Sequence, residues 1–346
     1  MKEFGSDFHF TANRNNVGDT VFDCFPNANY YADGRQALID LYHSCEWKRL
    51  WIPAYFCYDV IASLQDAGLV IMPYLDWPEH HDCSKTLEYI QREGLFRPTD
   101  AILLVNYFGM RAFRSPKLLP VAAIVEDHTH DLIGDWAMNS QADWCIASLR
   151  KTLPVPEGGI LWSPVGHRLP HAPNRSKENE RIAAIRWEAM KLKASYLAGE
   201  EIEKDSFRAR YVDTEEYFDR APISSLDIGS HEYLKAFNVR DWYNRKYENW
   251  RLLRGLQKND VRVLIPEGIG CFPFSLTLLF DTPLERDRIR KELIAHRIYP
   301  AILWNVPDSA DRDVADFSRR MLSIHCDGRY NAEDMQQMKS IIEYIL

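Results

Sequence analysis

Two candidate catalytic side chains stand near the ends of short apolar runs in the middle of the chain. Asp127 ends one run and Ser148 ends the next, and Lys151 and the pair Gly158-Gly159 follow. A carboxylate and a lysine in this order suit an enzyme that uses pyridoxal 5'-phosphate (PLP). In such an enzyme the lysine carries the cofactor as a Schiff base and the acid holds the ring nitrogen. We therefore predict that Asp127 and Lys151 are catalytic.

The phosphate of such a cofactor needs hydrogen-bond donors, and two segments offer them. Gly34 opens an apolar helix with Arg35 and Gln36, and free backbone N–H groups at the start of a helix bind phosphate. Ser148 and Arg150 offer a hydroxyl and a guanidinium beside the lysine. Both segments fit a phosphate site, and the sequence leaves both open.

A flat side chain is expected against the cofactor ring. The segment Pro53-Ala54-Tyr55-Phe56-Cys57-Tyr58 directly follows a predicted strand. An aromatic residue in this segment would stack on the ring. The sequence does not decide which residue takes that place.

The loop after Asp127 can also be interpreted as a metal site. Asp127, His128, His130 and Asp131 place ligand-type side chains close together, and the His-x-His spacing permits chelation. No third set of ligands accompanies them. We therefore predict no metal.

The first half of the chain alternates apolar runs with helical patterns. Runs of Val, Ile and Leu without polar alternation indicate strands buried on both faces, as in a parallel sheet. We predict strands at 49–53, 69–74, 101–106, 121–125 and 144–147, and helices at 59–67 and 84–93. Ligands in such α/β sheets bind beyond the carboxyl ends of the strands, where Asn106, Asp127 and Ser148 fall.

The second half predicts helices first and then a smaller α+β unit. Helical patterns cover 177–203 and 239–256. After them we predict a strand at 272–280, a helix at 283–296, a strand at 298–303 and a closing helix at 332–346. We place the domain boundary near residue 255, which gives a large PLP-binding α/β domain, 1–255, and a small α+β domain, 256–346.

Composition excludes several classes of function. The chain has 346 residues and a net charge of -8, and its basic residues are dispersed, so no nucleic-acid partner is expected. No apolar run approaches the length of a membrane span. The seven cysteines lack metal-site spacing. We interpret them as reduced thiols of a cytoplasmic protein.

With these residues in hand, the sequence resembles the DegT-type sugar aminotransferases, which include DnrJ- and StrS-like members. The resemblance covers most of the chain, in the same order. The motifs that carry it are Asp33-Gly34-Arg35-Gln36-Ala37-Leu38, Pro53-Ala54-Tyr55-Phe56-Cys57, Asn106-Tyr107-Phe108-Gly109, Glu126-Asp127-His128-Thr129-His130, Asp143 with Ser148 and Lys151, and the stretch from Leu322 to Met335.

This resemblance implies a fold-type I PLP transferase, α/β with a mostly parallel, seven-stranded sheet between helices. It implies that Asp127 holds the pyridine nitrogen and that His130 stands where a glutamine faces the ring hydroxyl. Cys57 takes the place of the stacking aromatic, so Tyr55 or Tyr58 is left for that role. The implied reaction moves an amino group from an amino acid, usually glutamate, to a keto acceptor such as a nucleotide-linked keto-sugar, in a homodimer.

The chain also departs from the family. The gap between Ser148 and Lys151 is shorter, and the stretch that reaches the neighbouring subunit's phosphate has no clear match; Arg35 and Arg150 offer compensating charge. Two alternatives follow. One is a catalytically silent PLP-fold protein that binds or regulates. The other is a PLP-dependent sugar dehydratase, against which Lys151 argues because that branch has histidine there.

Overall fold

The computed structural model describes residues 2–12, 18–80, 84–112, 121, 123–256 and 261–346. Its strands are β1 (Phe4–Gly5), β2 (Asn29–Tyr31), β3 (Arg49–Pro53), β4 (Val70–Tyr74), β5 (Asp100–Val105), β6 (Ala123–Asp127), β7 (Trp144–Ser148), β8 (Gly159–Trp162), β9 (Val261–Val263), β10 (Leu276–Phe280), β11 (Ile298–Tyr299) and β12 (Met321–Ile324). Its helices are α1 (Val21–Cys24), α2 (Gly34–Ser44), α3 (Tyr58–Asp66), α4 (Ser84–Arg92), α5 (Asp135–Met138), α6 (Leu149–Thr152), α7 (Lys177–Ala198), α8 (Lys204–Arg220), α9 (Ile228–Lys235), α10 (Val239–Leu253), α11 (Pro283–Ala295), α12 (Arg312–Arg320) and α13 (Ala332–Ile345).

A seven-stranded sheet forms the centre of the larger part, in the order β2-β8-β7-β6-β5-β3-β4. The pairs from β7 to β4 are parallel, and β8 runs antiparallel to both of its neighbours. Every residue of β5 is buried, as the apolar run predicts. The predicted mostly parallel α/β sheet is confirmed, and the carboxyl ends of β5, β6 and β7 meet at one edge.

The C-terminal part is built on a smaller antiparallel sheet, β12-β10-β9, whose strands all follow residue 260. The N-terminal strand β1 pairs in parallel with β11 of this part. A two-domain division near residue 255 stays a prediction. In the described ranges, no helix has both the length and the apolar character that a membrane span requires.

Several predicted elements have different bounds in the structure, and local chemistry explains three of the differences. The helix predicted at 177–203 ends before Gly199, whose left-handed backbone (φ 96°) caps it. The strand predicted at 272–280 begins only at Leu276, and the one at 298–303 ends at Tyr299. Pro273 and Pro300 lack the N–H that a strand ladder needs. The strand predicted at 121–125 lies at Ala123–Asp127, and Ala122 is outside the described residues.

Candidate active site

A cavity of about 250 Å³ opens at the carboxyl ends of β5, β6 and β7. It lies where parallel α/β sheets bind their ligands. Eight residues predicted for the site line its wall: Gly34, Arg35, Cys57, Asp127, His130, Ser148, Arg150 and Lys151. The structure therefore brings together residues that lie more than a hundred positions apart in the chain.

Glycines allow the start of α2 to lie against the end of β7. A Cβ atom on Gly34 would lie 3.0 Å from the Cβ of Ser148. A Cβ atom on Gly159 would lie 2.4 Å from the carbonyl carbon of Asp33, which no real side chain tolerates. Gly158 has a φ of 128°, a conformation that favours glycine. The glycine pair thus holds the helix start and Ser148 together at one side of the cavity.

Asp127 ends β6 and is buried in the cavity wall, 8% exposed. Its Oδ1 accepts a hydrogen bond of 2.8 Å from the backbone N–H of Thr129. Among the described residues, no lysine or arginine forms an ion pair with it. Burial raises the pKa of Asp127 because it penalises the charged carboxylate. A cationic ligand group beside it would therefore be stabilised.

His130 faces the same cavity as a neutral imidazole. The backbone N–H of Phe108 donates to its Nδ1 at 3.1 Å. Burial, with the charges of Lys246 and Lys151, lowers the pKa of His130 to about 3. Since Nδ1 accepts a hydrogen bond, the proton of the neutral ring is on Nε2. The ring stacks on Trp304, with centroids 5.4 Å apart and planes inclined at 17°.

Asn106 follows β5 and lines this cavity. Its Oδ1 accepts the backbone N–H of Arg111 at 3.2 Å. Its Nδ2 is buried without a partner among the described residues. A buried donor of this kind calls for an acceptor, which a ligand would supply. The sequence signalled Asn106 by its place at a strand end, although it was not predicted as a site residue.

Lys151 lies on the short helix α6, and its side chain is reached by solvent through the open cavity. The charge of Arg150 is the main cause that lowers the pKa of Lys151, and desolvation by surrounding protein adds to it. The charges of Glu215 and Asp33 act in the opposite direction. A lysine with a lowered pKa is a better nucleophile and base.

Both predicted arginines form ion pairs with acids at the cavity. Arg35 contacts Asp219 of α8 at 2.5 Å, and Arg150 contacts Glu215 of the same helix at 2.9 Å. Arg150 also lies 3.2 Å from Asp33. Glu215 and Asp219 line the cavity and were not predicted, because their pairing with distant arginines leaves no local sequence signal.

Three predicted residues do not line the cavity. Tyr55 is fully buried and its hydroxyl donates to the carbonyl of Leu303. Tyr58 donates to the carbonyl of Ala54 at 3.3 Å, and the Oε1 of Gln36 accepts from the N–H of Ser224 at 3.0 Å. The aromatic residues in the wall are instead Phe56, Phe274 and Trp304.

Two of the four residues considered for a metal site line the cavity. His130 and Asp127 line the cavity, whereas His128 lies behind it and contacts Glu126 at 3.0 Å. Glu126, His128 and Cys145 form a buried group whose ligand-type atoms lie within 4.8 Å of one another. Ser140 also donates to Glu126, at 2.6 Å. These contacts anchor the end of β6 from behind.

Comparison with known proteins gives matches in structure alone. No family model and no curated protein matches the chain. A DegT DnrJ EryC1 StrS aminotransferase from Brucella abortus superposes with a TM-score of 0.57 at 14% identity, over 92% of this chain and 85% of that one. The sugar aminotransferase CalS13 from Micromonospora echinospora gives 0.54 at 13% identity, over 92% and 88%. The chain has their fold.

A third structure with this fold contains the cofactor. It comes from Streptococcus pneumoniae, is assigned as a sugar aminotransferase and was solved in its PLP form. Its TM-score is 0.57 at 11% identity, over 93% of this chain and 88% of that one. The predicted resemblance to DegT-type aminotransferases and the predicted fold-type I architecture are thus confirmed at the level of the fold. The roles of the individual site residues stay predictions.

Proposed function

We propose that the chain is a PLP-dependent aminotransferase that takes its amino group from an amino acid, by resemblance glutamate. The observation that carries the proposal is the cavity itself. Lys151, a buried Asp127 that no lysine or arginine of the described ranges pairs with, and a helix start opened by Gly34 all line it. By the same resemblance, the acceptor is a nucleotide-linked keto-sugar and the protein is a homodimer. The cysteines, interpreted as reduced thiols, support a cytoplasmic location.

The residues of the cavity fit PLP. Asp127 would pair with the pyridine nitrogen, which needs an acid, and the Nε2–H of His130 would donate to the ring hydroxyl. The phosphate would be held by Ser148 and the first N–H groups of α2. When bound, the cofactor supplies an electron sink for the carbon that carries the amino group. The Nζ of Lys151 would remove and return the proton of that carbon.

Cofactor trapping tests the proposal. The purified protein is incubated with PLP, reduced with borohydride and digested, and the labelled peptide is identified by mass spectrometry. We expect PLP on Lys151 in the wild type and no label after Lys151→Ala. Lys235→Ala, an exposed lysine on α9, is the matched control and should keep the label on Lys151. Label on another lysine, or none, would refute the assignment.

A second candidate, a silent PLP-fold binding protein, is favoured by one observation. The guanidinium groups of Arg35 and Arg150 already contact Asp219 and Glu215, and these acids would compete with the cofactor phosphate. The two candidates differ in one reaction. Addition of glutamate to the PLP-loaded protein should release 2-oxoglutarate and leave pyridoxamine phosphate if the protein is an aminotransferase. A loaded protein that converts no amino acid would be the silent binder.

A further inference from the structure

A second cavity, of about 300 Å³, lies next to the first. The two cavities share four wall residues: Arg150, Lys151, Phe274 and Leu303. Lys151 therefore borders both spaces. The cofactor residues Asp127, His130 and Ser148 line only the first cavity, which leaves the second one free for another molecule that must reach the same lysine.

Arg186 of α7 is a buried cation of the second cavity, 4% exposed, and Arg150 is another arginine in the same wall. Its Nε donates to the carbonyl of Pro156 at 2.8 Å, and its Nη1 donates to Thr214 and Glu215, each at 3.1 Å. These bonds hold the guanidinium in a fixed orientation at the wall. Its Nη2 group makes no hydrogen bond to the described residues and stays available to a ligand.

The charges around this guanidinium leave it undercompensated. Glu215, which lines the first cavity and not the second, is shared with Arg150, which contacts the same carboxylate at 2.9 Å. Among the described residues, the exposed Asp7 is the acid in the wall of the second cavity. Burial, and then the charge of Arg150, lowers the pKa of Arg186. An anionic group of a ligand beside Arg186 would stabilise the charged guanidinium and offset the cost of burying it.

We infer that the second cavity binds the amino donor and that Arg186 holds its α-carboxylate; this inference rests on the proposed function. In an α-amino acid the carboxylate is bonded to the carbon that reacts, so its anchoring cation must stand beside the catalytic lysine. Arg186 and Lys151 line the same wall. The diphosphate of a nucleotide-sugar is remote from its reacting carbon, so a cation at this place fits the amino acid. The apolar remainder of the wall, which includes Val155, Met190 and Phe274, suits a short carbon chain.

The test compares two amines that differ only in this carboxylate, L-glutamate and 4-aminobutanoate, on PLP-loaded protein. Conversion of bound PLP to pyridoxamine phosphate is followed by absorbance, and the half-saturating concentration of each amine is measured. In the wild type we expect glutamate to saturate at a much lower concentration. Arg186→Gln should raise its half-saturating concentration about tenfold or more, since a charge-assisted hydrogen bond is lost. The value for 4-aminobutanoate should stay unchanged.

Three controls keep the outcome interpretable. Arg181→Gln removes an exposed arginine of the same helix, paired only with Glu178 in the described structure, and should behave as wild type. Arg186→Lys keeps the charge and should restore part of the preference for glutamate; it also serves if Arg186→Gln does not fold. Covalent PLP on Lys151 is measured in each variant. A loaded variant in which both amines change equally, or neither changes, would overturn the inference, whereas a wild type that takes up no PLP would refute the proposed function instead.

Discussion

Single residues at the cavity set the reactivity of its lysine. Arg150 lies next to Lys151 in the sequence and lowers its pKa, while Glu215 on α8 raises it. Although burial alone raises the pKa of Glu215, the charges of Arg150, Lys151 and Arg186 lower it to about 2, so it is ionised at every working pH. The pKa of Lys151 is thus set by two opposing charges, the cation of Arg150 and the anion of Glu215.

This balance predicts opposite effects for two substitutions. Arg150→Gln removes the main cause of the lowered pKa, so the pKa of Lys151 should rise and its reaction at neutral pH should slow. Glu215→Gln removes a negative charge that raises the pKa of Lys151, so it should lower that pKa. The measurement is the pH dependence of the rate at which pyridoxal, which lacks the phosphate, labels Lys151. A shift of the midpoint in the same direction for both variants would contradict the assignment.

His130 is expected to keep one protonation state over the working pH range. Its pKa lies near 3, so no step near pH 6.5 should arise from it. Nitrogen-15 NMR of histidine-labelled protein should show a neutral ring protonated on Nε2 from pH 5 to 8. His130→Leu serves to identify the signal. A ring that protonates between pH 6 and 7 would remove the basis for its role as a fixed donor.

At the scale of elements, close approach of backbones builds the site. Gly159 of β8 permits the contact with Asp33 that seats α2 beside β7. Gly159→Ala should therefore lower the free energy of unfolding by about 1–3 kcal/mol, the usual cost of overpacking, and weaken PLP binding. Gly255→Ala is the matched control, since its Cβ would meet only the end of Lys339 at 3.5 Å. Urea unfolding measures the stability of both variants. Equal losses of stability would show that the contact between Gly159 and Asp33 is not required.

Glu157 joins three elements and makes their packing sensitive to pH. It precedes β8, accepts from Asn179 of α7 at 2.9 Å, and accepts from the N–H of Asp227, which caps α9, at 2.8 Å. Burial raises its pKa from 4.5 to about 8. Because the folded state holds this proton more tightly, the stability it contributes is complete below pH 4.5 and is lost as the pH rises through 8.

Glu157→Gln should remove that pH dependence. The Oδ1 of Asn179 is buried without a partner among the described residues, so a flipped amide of Asn179 can accept from the new glutamine. We expect the difference in melting temperature between pH 6 and pH 9 to shrink relative to the wild type. An unchanged difference would mean that Glu157 does not change its protonation state between pH 6 and pH 9.

Local sequence patterns predicted the strands and helices that form the site, but they predicted few of the contacts between those elements. Apolar runs gave β3, β5, β6 and β7 to within a few residues, and a glycine before an apolar helix gave the start of α2. Helix α8 was not predicted, because its sequence is highly charged and its acids pair with arginines of other segments. The burial of Tyr55 in the core could not be predicted either, because the sequence around an aromatic residue at a strand end does not show whether its side chain faces the cavity or the core.

For the whole molecule, the two ends of the chain are joined. The N–H of Gly5 donates to the hydroxyl of Tyr330 at 2.7 Å, across 325 positions of sequence, and β1 pairs with β11. Arg329 and Lys193 both donate to the carbonyl of Asp7. The N-terminal segment, which lines the second cavity, is therefore held by α7 and by the C-terminal part together.

Tyr330→Phe tests this junction by removing only the hydroxyl oxygen that accepts from Gly5. The buried N–H of Gly5 would lose its acceptor, which should lower the free energy of unfolding by about 1–3 kcal/mol. Proteolysis near the N-terminus should also become faster. Tyr344→Phe, at a tyrosine that is 83% exposed, is the matched control and should change neither measurement. Equal proteolysis of the two variants would show that the junction does not depend on this bond.

The bond from Tyr55 to Leu303 has one more consequence. It fixes the backbone beside Trp304, so the indole stays in the cavity wall. Indole emission overlaps the absorption of pyridoxal compounds. The chain thus carries its own optical probe: the difference in fluorescence between wild type and Trp304→Phe would report filling of the cavity in real time, without any added dye.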